Sequence, residues 1–168
     1  MVKRQLAALE RVRVEPPPSI EEQIQQIREL PHVTRVKVLP TVLIVEVEPP
    51  PIKTAAGEWR NKYQIHYGIG SRLDGRRYDN VMAYKIIGEK MIEGYIHPHV
   101  SARGILCAGD LTEDIAGAIG RGELATATAL IIQALQTYNP ESAYVPAERL
   151  IELEKLAEEE GEEDEEDA

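Results

Sequence analysis

The chain has no phenylalanine and a single cysteine in 168 residues. One cysteine cannot close an internal disulfide, so a disulfide-stapled scaffold is excluded and a reducing cytoplasm is the default expectation. Composition offers no physical account of the missing phenylalanine. No apolar run approaches the ~18–20 residues of a membrane span. Residues Met1–Arg13 are basic and amphipathic rather than signal-like. Net positive charge is lacking too: 19 basic side chains face 29 acidic ones, a balance of −10. That deficit is local. Residues 147–168 carry twelve acids and two bases, and the remainder is neutral. The body therefore has no basic patch that reads as a nucleic-acid footprint. The run Glu158–Asp167 repels itself and has nothing to bury, so 158–168 is expected to be a disordered acidic tail, with solubility as its plainest role.

What is present suits one domain with a single core. Val2, Leu6 and Leu9 lie at helical spacing, and Pro16–Pro18 stop that short N-terminal helix (1–18). A capping box, Ser19 with Glu22, opens a second helix that carries Ile20, Ile24, Ile27 and Leu30 on one face. The domain proper is expected to cover 19–157, with 1–18 packed on it. Arg35–Val38 alternates in the manner of a strand. Thr41–Glu48 is β-branched and apolar enough for an inner strand. Lys53–Arg60 reads as a polar loop. Tyr63, Ile65, Tyr67 and Ile69 alternate with polar or small residues, which gives a half-buried strand. Gly70–Asn80 is a long basic loop. Tyr84–Ile87 and Met91–Ile96 predict one or two further strands about a turn at Gly88 and Glu89.

After Cys107 the period changes. Asp110 or Thr112 caps a short helix to about Ile119. Leu124, Thr128, Ile131 and Leu135 mark a helix ending near Tyr138. Asn139-Pro140 forces a turn. Pro146 opens a last helix with Leu150, Leu153 and Leu156 on one side. Helices, a small antiparallel meander, then helices make an α+β fold.

The chemistry concentrates in His97–Asp110. His97-Pro98-His99 stands eight residues before Cys107, and Gly104 stands three before it. A lone cysteine is most often a small buried hydrophobe. Zinc on His97, His99 and Cys107 lacks a fourth ligand and fits no standard spacing. Gly68-Ile-Gly70 is no dinucleotide fingerprint, because no helix opens after it. A cysteine hydrolase needs a His and an Asp or Asn to activate the thiol, and His99 lies in the same tight segment.

These residues resemble the ubiquitin-conjugating family. Its His-Pro-Asn, short Gly loop and active-site Cys are matched in spacing by His97-Pro98-His99, Gly104 and Cys107, with Leu106 in the apolar place. Its helix ending in Asn-Pro, then Val-Pro, is matched by Asn139-Pro140 and Val145-Pro146. Residues 2–18 look like its first helix. The match is dense over 95–146 and thin over 19–80. His99 stands where the family has Asn, the Tyr-Pro-Phe and Pro-Pro signatures and the Trp after the cysteine are missing, and the helix at 19–30 is extra. Those departures point to a divergent member, prokaryotic or viral in type rather than a standard eukaryotic enzyme.

The resemblance implies a transferase. Cys107 would take the C-terminus of a ubiquitin-like modifier as a thioester and pass it to an amine. His99 would donate to the oxyanion or brace the loop. Ser142 would stand at the gate beside the cysteine or simply belong to its turn, and His97 would brace the motif. No cofactor or metal is implied. The partners would be the modifier and an activating enzyme. The departures leave an alternative: a module of the same fold, without chemistry, kept for protein contacts.

Overall fold

A computed structural model describes residues 19–69 and 81–166. The expected N-terminal helix (1–18) and basic loop (70–80) lie outside these residues. The described chain is α+β, with a four-stranded antiparallel sheet and four helices. Ser19 caps α1 (Ile20–Glu29), its hydroxyl accepting the Glu22 N–H at 3.2 Å. The sheet is a meander of β1 (Val33–Val38), β2 (Val42–Val47), β5 (Tyr63–Ile69) and β6 (Val81–Gly88), each neighbour antiparallel. A small hairpin, β3 (Ile52–Thr54) with β4 (Gly57–Trp59), is inserted between β2 and β5.

β2 lies inside the sheet, as its β-branched composition predicts. It also alternates in burial, Leu43, Val45 and Val47 turning inward, because only one sheet face meets the helices. Cross-strand pairing stacks Leu43 on Tyr67, Val45 on Ile65 and Val47 on Tyr63. Over this face lie Ile27 of α1, Ile115 and Ala118 of α2 (Leu111–Gly120), and Leu124, Ala127 and Ile131 of α3 (Leu124–Leu135). Leu124, Thr128, Ile131 and Leu135, the face read from spacing, are all buried. α3 ends at Leu135, three residues before the expected Tyr138. Its first turn is capped from a distance: the Gln23 side chain of α1 accepts the Leu124 N–H at 2.7 Å.

Three expectations change. Lys53–Arg60 is not a polar loop but largely the β3–β4 hairpin, and Trp59 is fully buried. The hairpin forms because α4 (Ala147–Glu166) covers it, packing Ala147, Leu150 and Ile151 against Ile52 and Trp59. Met91–Ile96 is not a strand. Ile92 and Tyr95 exchange two backbone hydrogen bonds of 2.8 and 2.9 Å about Glu93 and Gly94, both at positive φ. A tight turn therefore replaces extended chain.

The third change concerns the C-terminus. Helix continues to Glu166, through most of the segment expected to be disordered. Glutamate is a good helix former, and a helix already nucleated and packed over 147–151 propagates readily. Leu156, expected on the apolar side, is 53% exposed. Among the described residues no helix is long and apolar enough to cross a membrane.

Candidate active site

The His-Pro-His segment is anchored at its first step by a carbonyl. Ile96 C=O accepts from Trp59 Nε1 (3.1 Å), Asn61 Nδ2 (3.1 Å) and the Tyr63 hydroxyl (3.2 Å). Asn61 completes the clamp by accepting the N–H groups of Lys62 and Lys90, both at 2.9 Å, and donating to Lys90 C=O at 2.8 Å. The end of β6 comes very close to this segment. A Cβ on Gly88 would stand 2.5 Å from Ile96 Cβ, so only glycine fits there.

His97 is wholly buried. Its Nδ1 accepts the His99 N–H at 2.9 Å, which puts the ring proton on Nε2 and makes that nitrogen the donor to Leu135 C=O at 2.8 Å. Burial lowers its pKa to about 4, against the opposing effect of the Leu135 carbonyl, with nearby His99 lowering it further. His97 is a neutral brace between the motif and the end of α3. His99, 5% exposed, is held in a similar way from a different side. Its Nε2 accepts the Asn139 N–H at 2.9 Å. The proton therefore sits on Nδ1. Burial lowers its pKa, and a hydrogen bond with the Ser142 backbone opposes that shift. Through that bond the His99 ring works as a bolt into the 139–142 turn.

The loop to Cys107 then folds back. Val100 and Leu106 bridge, both buried, and Ser101 ties the tip, its Oγ accepting the N–H groups of Arg103 and Ile105 at 3.3 and 3.2 Å. Gly104 has φ +83°, and its carbonyl accepts the Ile86 N–H of β6 at 3.0 Å. A Cβ there would stand 2.8 Å from Ile86 O, so conformation and close approach both require glycine. The Cys107 N–H donates to His99 C=O at 2.8 Å. Its thiol is free and half-buried. Asp110 takes the cap position of α2 without a side-chain bond, and Thr112 Oγ1 instead accepts the Ala108 N–H at 3.2 Å.

The downstream motif joins the same structure. Asn139 Oδ1 accepts the Glu141 N–H at 3.1 Å, and its carbonyl accepts the Ser142 N–H at 3.2 Å. Tyr144 N–H donates to Pro98 C=O at 2.9 Å. Thus Cys107, His97 and His99 are linked by a chain of hydrogen bonds to Asn139 and through it to Ser142, some forty residues away, whereas Gly104 is bonded to β6 and Pro140 enters only as the neighbour of Asn139. Ser142 is exposed, in the turn that His99 secures. Among the described residues, no group of three His, Cys, Asp or Glu is placed to hold a metal.

Sequence reasoning missed the tyrosines. Tyr138 lies 5.9 Å from the His99 ring; its hydroxyl accepts the Ala147 N–H at 3.1 Å and donates to Glu148 at 3.0 Å, capping α4. Tyr84 on β6 is half-buried, with its pKa raised to about 12 by burial first and by nearby Cys107 second. A chain without phenylalanine was the available signal, since each tyrosine it uses brings a hydroxyl to be placed. Comparison with protein-family models, with curated proteins and with solved structures finds no match to this chain.

Proposed function

We propose that the chain is a ubiquitin-conjugating-like acyl carrier: Cys107 accepts the C-terminal carboxyl of a ubiquitin-like modifier as a thioester and passes it to an amine. The observation that carries the reading is the half-exposed thiol at the end of a loop whose backbone is bonded to His99, with His99 bonded in turn to Asn139. The two halves of the sequence motif thereby become one rigid frame around one nucleophile. The lone pair of each histidine near the cysteine already accepts a backbone N–H, at His97 Nδ1 and at His99 Nε2, so neither is free to serve as a base for attack by water. That suits transfer better than hydrolysis.

The alternative is a binding module of the same fold with no chemistry. It is favoured by the commitment of His99 Nε2 to the 139–142 turn, at the position where the ubiquitin-conjugating family has Asn. Incubation with a peptide thioester ending in Gly-Gly separates the two. The carrier gains the peptide's mass on Cys107, loses it to dithiothreitol, and forms no such adduct as Cys107→Ser. No adduct on the folded protein rejects the carrier.

A further inference from the structure

The His-Pro-His segment holds the 139–142 turn and the chain just after it by hydrogen bonds of two kinds. Tyr144 N–H donates to Pro98 C=O at 2.9 Å, a backbone pair that does not titrate. Asn139 N–H donates to His99 Nε2 at 2.9 Å. That acceptor is a lone pair, and it is also where the ring takes up its second proton. An imidazolium carries N–H groups on both nitrogens. A protonated Nε2 would therefore face the Asn139 N–H donor to donor, and the bond would be lost. The other bonds of Asn139, from its Oδ1 to Glu141 N–H and from its C=O to Ser142 N–H, lie within the turn and do not replace that tie. The far end keeps its own ties, since the hydrogen bond between the ring and the Ser142 backbone favours the charged form.

The surroundings decide when that proton arrives. From its own segment the ring meets His97, 5.9 Å away and neutral down to a pKa of about 4. From the chain after α3 it meets Tyr138, also at 5.9 Å. The acid that α4 brings here, Glu148, is bonded to the Tyr138 hydroxyl rather than to the imidazole. Cys107 reaches His99 through its backbone N–H, and Glu141 of the turn is exposed. Burial thus keeps the ring neutral at pH 7, with its pKa below the ordinary 6.5. Freed from the turn and hydrated, the imidazole returns toward about 6.5. The bond to Asn139 is therefore at full strength above that pH and weakens as pH falls below it.

We infer that His99 is an acid-sensitive latch: a proton taken up from solvent on Nε2 releases Asn139, the end of the turn nearest α3, while Tyr144 stays pinned to Pro98 C=O. With the latch closed, the cysteine segment is joined to Asn139 through Cys107 N–H on His99 C=O and Asn139 N–H on the ring. With it open, that connection between the thiol loop and the chain after α3 is gone. An asparagine at position 99, as in the ubiquitin-conjugating family, has no such proton to take up. The inference does not depend on the carrier reading, because a binding module of the same fold would carry the same latch.

The test measures amide hydrogen exchange residue by residue by NMR at pH 7 and pH 5, on the full wild-type chain and on His99→Gln. Glutamine can accept the Asn139 N–H through Oε1 and does not titrate. Rates are divided by the intrinsic exchange rate at each pH, so that only protection is compared. The expected result is that protection at Asn139 falls roughly 10-fold further on acidification in wild type than in His99→Gln. Tyr144, and Val45 inside the sheet, are expected to change by the same factor in both proteins. An equal change at Asn139 in the two proteins overturns the latch. An excess loss in wild type that Tyr144 and Val45 share also overturns it, since acid would then loosen the whole domain. If His99→Gln does not fold, wild type alone decides: the NMR titration of the His99 ring must share its midpoint with the loss of protection at Asn139, and separate midpoints overturn the proposal.

Discussion

On one side of residue 99 the polar groups are saturated, and on the other they are left open. Toward α3 and the 139–142 turn, both ring nitrogens of His97 and Nε2 of His99 are engaged, and the carbonyls of Ile96, Leu135 and Pro98 all accept hydrogen bonds. Toward Cys107, the thiol has no hydrogen-bond partner among the described residues. Buried polar groups are costly unless paired, so the saturated side is where stability resides. The open side keeps groups free to meet a reacting atom. A site needs both: a frame that holds its backbone and a face that does not satisfy its own chemistry.

The contrast can be broken from its saturated side first. His97→Ala leaves Leu135 C=O and the His99 N–H unpaired and opens a cavity, so it is expected to destabilise the fold by about 4 kcal/mol in urea unfolding. Gly104→Ala is next. It forces a side chain into positive φ against the β6 carbonyl, and about 3 kcal/mol is expected to be lost in the same assay.

A third prediction concerns pH. His97 has a pKa of about 4 in the fold and about 6.5 when unfolded, so between these values the unfolded chain binds more protons. Its contribution is fully present above pH 6.5 and is lost as pH falls toward 4. Wild type is expected to lose about 2 kcal/mol more than His97→Gln between pH 7 and 5. Equal pH slopes would mean that the ring is not buried neutral.

The smallest effect is expected on the open side. Cys107→Ser, an isosteric change at a half-exposed thiol, should move stability by no more than about 0.5 kcal/mol. A loss comparable to that of His97→Ala would erase the distinction between frame and face.

The same distinction explains what was legible in the sequence. Local rules found what is local: the Ser19 cap, the buried row on α3, the inner strand β2, and the spacing of Gly104 before Cys107. They failed where long-range packing decides. The β3–β4 hairpin has only three residues per strand, and it becomes structured because α4, almost a hundred residues later, covers Trp59. Charge repulsion predicted disorder after Glu158, whereas helix propagates to Glu166 from a packed first half. At the site, the positions of His97, His99 and Cys107 were readable, but the choice between brace and donor for His99 was not. It depends on Asn139, forty residues away, arriving with its N–H aimed at Nε2.

The central claim is that Cys107 sits on a rigid frame as a carrier that does not activate water. The fate of acyl-Cys107, followed by intact mass at neutral pH with and without free lysine, tests it most directly. The account predicts an adduct that persists in buffer and is discharged onto lysine when the amine is added. Rapid loss to water, with lysine making no difference, would contradict it and make the site a hydrolase.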